Sequence, residues 1–402
     1  MIKRSPTDFL VEEILSQELL DLSKQPGPFA LYRLKKESLA TPEAVGRIAR
    51  ALNVPSGTIA YAGLKDKHAS TIQHLTLKLE PDATPPEKLA GPGWSMERIG
   101  FLPRSITASD IHRNRFGITV RNLSEQECFD MDQAVRLLSP ADAAKNRGPR
   151  LINYFGDQRF GSARHGRGFI ARNLIKGDFE GALKLAIATE ARKDRMDQKI
   201  FKRTVREQWG NWAGLLEKLR PCAERKPIER LVHSSKDFRA AFCALPYMLQ
   251  QFSVYAYQSH LWNAIARRTV ERLCAPLGQV LAVGDIFGEM LFPSAEAIPA
   301  ELEGMNLPLL AHNTELVEPW KGPAEEVFKE ECIEVGELKI AGVRRPFFGE
   351  EPRALFFEAE QFKLGKPEKD DSAKDSKRRK RVLTFCLPRG CYATVLLRAL
   401  GQ

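Results

Sequence analysis

Residues 62–71 read AGLKDKHAST, a glycine-led polar stretch between two runs with strand character, 57–64 and 72–79. In the second run Leu75, Leu77 and Leu79 alternate with other residues, the period of a strand with one buried face. A polar connection led by glycine between two such runs is a turn or loop. It carries one carboxylate, Asp66, between Lys65 and Lys67. Loops carry chemistry more often than the elements they join. A carboxylate stays ionised at neutral pH when an ammonium lies close. In an extended backbone, however, side chains 65 and 67 point away from side chain 66. A turn aspartate with no chemical role is the plainer reading of these residues alone.

Outward from this loop, the first 150 residues read as mixed strands and helices. Pro28–Arg33 is a short strand. Thr41 is expected to cap a helix that has Pro42 at its first position and Val45, Ile48, Ala49 and Leu52 on one face. Phe116, Ile118 and Val120 mark a further strand, entered through the basic turn DIHRNR (110–115), which suits either phosphate contact or plain solvation. Residues 178–273 read mostly as helix. Within them, Phe252, Tyr255, Leu261, Trp262 and Ile265 fall at helical spacings and form a predicted core face. From 278 to 338 the pattern becomes shorter, turn-rich and strand-like, so a domain inserted between about 155 and 340 is expected. Near the end, GKPEKDDSAKDSKRRKR (365–381) has eight Lys/Arg against four Asp/Glu and reads as a solvated loop. Either an RNA-gripping arm or a bystander insertion fits it. VLTFCLP is then a strand and YATVLLRAL a short helix.

The densest polar–aromatic cluster is LINYFGDQRFGSARHGRG (151–168), which interleaves Tyr154, Phe155 and Phe160 with Arg159, Arg164, His165 and Arg167. Aromatic faces stack unpaired bases and guanidiniums hold phosphates, the composition needed to hold a base outside its helix. A core aromatic strand followed by a basic surface loop would look the same. Gly166, Gly168 and Ala171 match the spacing of a dinucleotide fingerprint, but GSARH precedes them in place of an apolar strand. There is no phosphate-binding GxxxxGK[ST] and no GxSxG.

Composition narrows the partners. The chain has 402 residues, enough for two domains, and a net charge of +10, which argues for a polyanionic partner. No apolar run is long enough to span a bilayer, and a cytosolic protein is expected. Seven scattered cysteines without a CxxC pair, and seven histidines without HExxH, suggest neither a disulfide framework nor a metal site.

Five motifs, taken together, carry a family resemblance: AGLKDKHAST (62–71), HRNRFGITVRN (112–122), INYFGDQRFG (152–161), QSHLWNAIARR (258–268) and LPRGCYATVLLRAL (387–400). In this order the sequence resembles the TruD family of tRNA pseudouridine synthases along almost its whole length. The resemblance implies an α+β fold: a pseudouridine synthase-type catalytic domain with a mixed, largely antiparallel sheet, interrupted by an α/β TRUD insertion domain. The catalytic domain would comprise 1–155 and 341–402, and the insertion 156–340. Tracing the family's GxKD and NYFG motifs onto this chain implies Asp66 as the catalytic nucleophile and Phe155 and Asn153 as substrate-binding residues, with Phe155 packed against the target uracil. Lys65, Lys67 and Arg159 are candidate RNA contacts. The implied reaction isomerises a uridine of tRNA, uridine 13 by the resemblance, to pseudouridine, with tRNA as partner and no metal or other cofactor. The charged stretch 363–381 departs from the family pattern. Two other classes stay open: an RNA-binding protein of the same fold, and a uridine methyltransferase, which would need a cofactor pocket.

Overall fold

The computed structural model of the chain describes residues 4–24, 27–81, 83–141, 148–160, 167–191, 194–285 and 288–402. It divides into two compact units, Met1–Leu151 with Phe357–Gln402, and Ile152–Phe356.

In chain order the first unit begins β1 (Phe9–Leu15), α1 (Gln17–Leu22), β2 (Phe29–Glu37), α2 (Thr41–Leu52), β3 (Ile59–Tyr61), β4 (Ser70–Lys78), β5 (Lys88–Gly91), β6 (Trp94–Leu102), β7 (Ile111–Leu123) and α3 (Glu125–Leu138). After β8 (Arg150–Ile152), the second unit holds α4 (Ile170–Ile175), α5 (Phe179–Leu183), α6 (Met196–Glu207), α7 (Trp212–Lys218), α8 (Lys226–His233), α9 (Phe238–Cys243), the long α10 (Tyr247–Leu273), the hairpin β9 (Val280–Asp285) and β10 (Gly288–Pro293), and α11 (Lys321–Glu331). The chain returns through β11 (Phe356–Glu358), which pairs with β8, to β12 (Glu360–Leu364), β13 (Glu368–Lys369), β14 (Arg379–Pro388) and α12 (Ala393–Ala399).

The first unit is built on one sheet with strand order β12-β14-β7-β1-β4-β2-β6-β5, to which β3 and β13 add on β4 and β14. Among the described strands of this sheet every pairing is antiparallel except that of β1 with β4. The mixed, largely antiparallel α+β sheet expected from the resemblance is therefore present. Side-chain alternation decides what each face of β2 meets. Ala30, Tyr32 and Leu34 pack with Ala44, Val45, Ile48 and Ala49 of α2, while Leu31 joins Leu15, Leu19, Leu102 and Ile111 in a separate cluster. Along β4, β2 pairs one edge from end to end while the other edge meets β1 at Ser70–Ile72 and β3 at Leu75–Leu77, and Gln73 to Leu77 are all buried, not only the alternate leucines.

Several local expectations change. Thr41 is the first residue of α2 and Ala40 stands at the cap, because the Thr41 hydroxyl is engaged with Gln73 and Lys65 instead. Residues 57–64 form a short 3-10 turn and the three residues of β3, since only Ile59–Tyr61 find partners on β4. The stretch 110–115 is mostly strand, the start of β7. Among the described residues between 278 and 338 there is one α-helix, α11, which the turn-rich pattern hid. On α10, Leu261, Trp262 and Ile265 are buried as expected, but Phe252 is exposed.

The charged stretch 365–381 is more ordered than a solvated loop. Asp370 is buried, accepting hydrogen bonds from the Asn122 N–H (2.8 Å) and from Arg121 (3.0 Å). Arg381 is buried on β14 and donates to the carbonyls of Gly365 and Cys128 and to Asp132. Arg378 and Arg379 pair with Glu127 and Glu125 of α3, and Lys380 with Asp371. Half of the cations that made this stretch look like an arm are thus committed inside the unit.

The second unit ends at Phe356 because 341–356 hydrogen-bonds within it. The carbonyls of Phe347 and Gly349 accept from Gln251 and Gln258 of α10, and the N–H groups of Leu307 and Leu309 go to the carbonyls of Arg353 and Glu351. Among the described residues no helix is long and apolar enough to cross a membrane, and all seven cysteines are free.

Candidate active site

In the first unit Asp66 lies on the connection 62–69 between β3 and β4, half-buried, with Lys67 exposed beside it. One Asp66 carboxylate oxygen accepts the N–H of His68 at 2.9 Å, an Asx-type turn that orients the side chain from its own loop. Three further sets of contacts hold the loop. The N–H of Lys65 donates to the Thr41 hydroxyl (3.0 Å), which itself donates to Gln73 on β4 (2.9 Å). The Lys65 ammonium reaches the carboxylate of Glu13 on β1 at 2.7 Å. The ammonium of Lys36 on β2 donates to the carbonyls of Leu39 (2.7 Å) and Asp66 (3.3 Å).

These anchors are buried. Lys36 and Glu13 are 1% and 2% exposed, values that ionisable groups reach only with partners. The parallel ladder of β1 and β4 ends at Glu12 and Ile72, and there the Glu13 carboxylate accepts the N–H of His74 at 2.7 Å. Burial would raise the Glu13 carboxyl, but hydrogen bonds from His74 and the charge of Lys65 outweigh it and hold the carboxyl below its ordinary value. Burial pushes Lys36 down to about 8; the charges of Asp66 and Glu13 oppose that shift and that of Lys65 adds to it. Lys65 is therefore spent on Glu13, and the buried ammonium beneath the loop of Asp66 is Lys36.

In the second unit the NYFG residues are core. Tyr154 and Phe160 are fully buried, and the Tyr154 hydroxyl is hydrogen-bonded to the backbone of Leu291. Asn153 is buried and tied to 353–355. Its N–H goes to the Leu355 carbonyl and its side-chain amide to the Ala354 carbonyl, and Arg353 donates to its backbone and side-chain oxygens at 2.7–2.9 Å. Phe155 is 4% exposed, with the Trp262 ring edge-on at 5.7 Å and the Arg353 guanidinium 3.8 Å from its centroid. Asn263 of α10 clamps its backbone by accepting from the Phe155 N–H and donating to its carbonyl. Arg159 lies 5.3 Å from the same ring and 4.7 Å from the Tyr255 ring, and donates to Ser259 at 3.1 Å. Phe155 thus carries guanidinium on its face in this structure. Arg164, His165 and Gly166, singled out in the sequence, lie outside the described residues.

Glu13, Lys36 and Arg353 were not singled out. A signal existed for two of them. Glu13 occupies an inward slot in the alternation Phe9, Val11, Glu13, Leu15, and Lys36 does so after Ala30, Tyr32 and Leu34. A charge in an apolar register of a strand marks a buried, partnered group. Nothing local marks Arg353.

The model of the family described as tRNA pseudouridine synthase D (TruD) matches residues 1–400 of this chain. A curated Methanococcus maripaludis protein described as "Probable tRNA pseudouridine synthase D 1" is 28% identical over 398 residues, covering 97% of this chain and 96% of that protein. A tRNA pseudouridine synthase D from Aquifex aeolicus is 29% identical over 410 residues, covering 99% and 97%. A crystal structure described as the tRNA pseudouridine synthase D (TruD) of Methanosarcina mazei superposes with a TM-score of 0.71 at 25% identity, over 99% of this chain and 92% of that one.

Proposed function

Because this chain belongs to the TruD family of tRNA pseudouridine synthases, isomerases of tRNA uridine, we propose that Asp66 is its catalytic nucleophile and uridine 13 of tRNA its target. The observation that carries the assignment is the anchoring of the Asp66 loop. Thr41, Lys36 and the Glu13–Lys65 pair hold the backbone on both sides of one carboxylate, and preorganisation of this kind is what a reacting group needs. The unit Met1–Leu151 with Phe357–Gln402 is accordingly read as the catalytic domain, and Ile152–Phe356 as the TRUD insertion with the NYFG residues at its start.

The reaction breaks the bond between ribose C1′ and uracil N1, turns the base, and joins C1′ to C5. The C5 proton leaves and N1 gains one. A carboxylate serves either by adding to C1′ as the base departs or by taking the 2′ proton. Both routes need the base out of its stack. Phe155 and Asn153 contribute through Arg353, whose guanidinium they hold over the ring, and guanidinium planes stack bases as rings do. The test is tritium release from unmodified tRNA carrying [5-³H]uridine. Release, with the product mapped to position 13, supports the proposal; no release from any tRNA overturns it.

Lys36→Met removes the donor to the Asp66 carbonyl, and turnover is expected to fall about tenfold, the worth of one positioned hydrogen bond. Unchanged turnover would remove Lys36 from the support of the loop. The pH dependence of stability has a definite sign. With a folded value of about 8 against an ordinary 10.5, Lys36 loses its proton first in the folded chain. Wild type should therefore gain thermal stability relative to Lys36→Met as pH rises between those values.

In the charged stretch, Lys374 and Lys377 are the cations to test for RNA grip. If both meet phosphate, the double alanine variant should lower the slope of log affinity against log salt by roughly 1.4–1.8. An unchanged slope would make the stretch a structural element only.

A further inference from the structure

On α10, Met248, Phe252, Tyr255, Ser259 and Asn263 follow one another at steps of four, three, four and four residues, and so share one helix face. The far end of this face meets the NYFG segment of the same unit, since Asn263 clamps the Phe155 backbone and Ser259 accepts from Arg159. The near end is exposed to solvent: Met248 is 53% and Phe252 44% exposed, and Tyr247 and Phe347 are exposed as well. Guanidiniums are interleaved with the rings. Arg159 covers Tyr255 and reaches Phe155, and Arg345 lies 5.8 Å from the Tyr247 centroid.

We propose that the α10 face from Met248 to Tyr255 is a stacking track for unpaired RNA, on which nucleotides adjoining the target lie base against ring. The inference rests on the proposed function and deepens it, naming where the strand beside the target runs. Exposed apolar groups in this number mark a binding surface. The core of a protein–protein interface is depleted of charge, whereas here two guanidiniums sit on ring faces and one acid, Glu351, acts on Tyr255. Alternating rings and guanidiniums fit a strand that is stacked and anionic together. The net charge of +10 complements the same occupant.

The test is the affinity of the full chain for unmodified tRNA at several salt concentrations, wild type against the Met248→Ala/Phe252→Ala double variant. Stacking predicts about five- to tenfold weaker binding at every salt with the salt slope unchanged, because no phosphate contact is removed. Phe252→Leu, which keeps apolar bulk without a ring, should also weaken binding. Affinity within twofold of wild type for the double variant overturns the track. So does wild-type affinity for Phe252→Leu, which would indicate an apolar protein partner, or a change in oligomeric state with RNA affinity intact, which would indicate a second copy. Tritium release by wild type reports separately on the proposed function. A wild type that binds tRNA through this face but releases no tritium overturns that function and leaves the track standing.

Discussion

Asp66→Asn is expected to lower turnover by at least about 10³-fold while leaving tRNA affinity within a few-fold. The substitution keeps shape and one oxygen, so the hydrogen bond from the His68 N–H survives and the loop stays in place. The three anchors hold the Lys65 N–H, the Lys65 ammonium and the Asp66 carbonyl, all of which the substitution keeps. What disappears is the negative charge, and with it both routes by which a carboxylate assists departure of the base. Affinity is spared because phosphate contacts dominate nucleic-acid binding. The measurement is single-turnover tritium release beside a binding titration. Turnover within tenfold of wild type would sink the nucleophile assignment. Loss of affinity in parallel with turnover would instead show a damaged RNA surface.

Glu13→Ala should be the most damaging substitution for the fold of the first unit. It strands the Lys65 ammonium, only 14% exposed, without its counter-charge, and the His74 N–H without its acceptor. Removing one partner of a buried ion pair costs about 3–5 kcal/mol, equivalent to a fall in Tm on the order of 10 °C for a unit of this size. Glu13→Gln keeps an acceptor for His74 and should cost less. The sign of the pH effect follows from the lowered Glu13 carboxyl. Its stabilising contribution is complete above the ordinary value of 4.5 and is lost as pH falls through the lower folded value. The Tm gap between wild type and Glu13→Ala should therefore hold from neutral pH to about 5 and close in stronger acid. A gap under about 2 °C at neutral pH would show that the pair contributes nothing. Turnover should fall in the same variant, because Lys65 neighbours Asp66 and loses its tether.

Much of the framework was legible. The strands β2, β4, β7 and β14 and the helices α2, α10 and α12 announced themselves by period, because alternation and helical spacing report a local fact, which side of an element faces apolar neighbours. The loop of Asp66 was legible for the same reason, as polar residues led by glycine between two periodic runs. Where the reading went astray, a distant partner decided the outcome. Thr41 had the residue type of a cap, but Gln73 and the Lys65 N–H claim its hydroxyl from across the sheet. The stretch 365–381 had the composition of a solvated loop, but Asp370 finds Arg121, and Arg381 finds Cys128 and Asp132 of α3.

The sequence by itself determined the α+β class, the place of Asp66 in a connection, and the motifs by which the family is recognised, because each of these is carried by residues close together along the chain. Only the tertiary structure decided which groups hold Asp66 and what covers Phe155. Lys36 and Glu13 are 30 and more residues from the loop they anchor, and Arg353 is about 200 residues from Asn153. A buried charge takes whichever counter-charge or carbonyl the closed sheet brings within about 3 Å, since no water remains to satisfy it. That choice is made by strand order and register, which the spacing of residues along the chain does not contain.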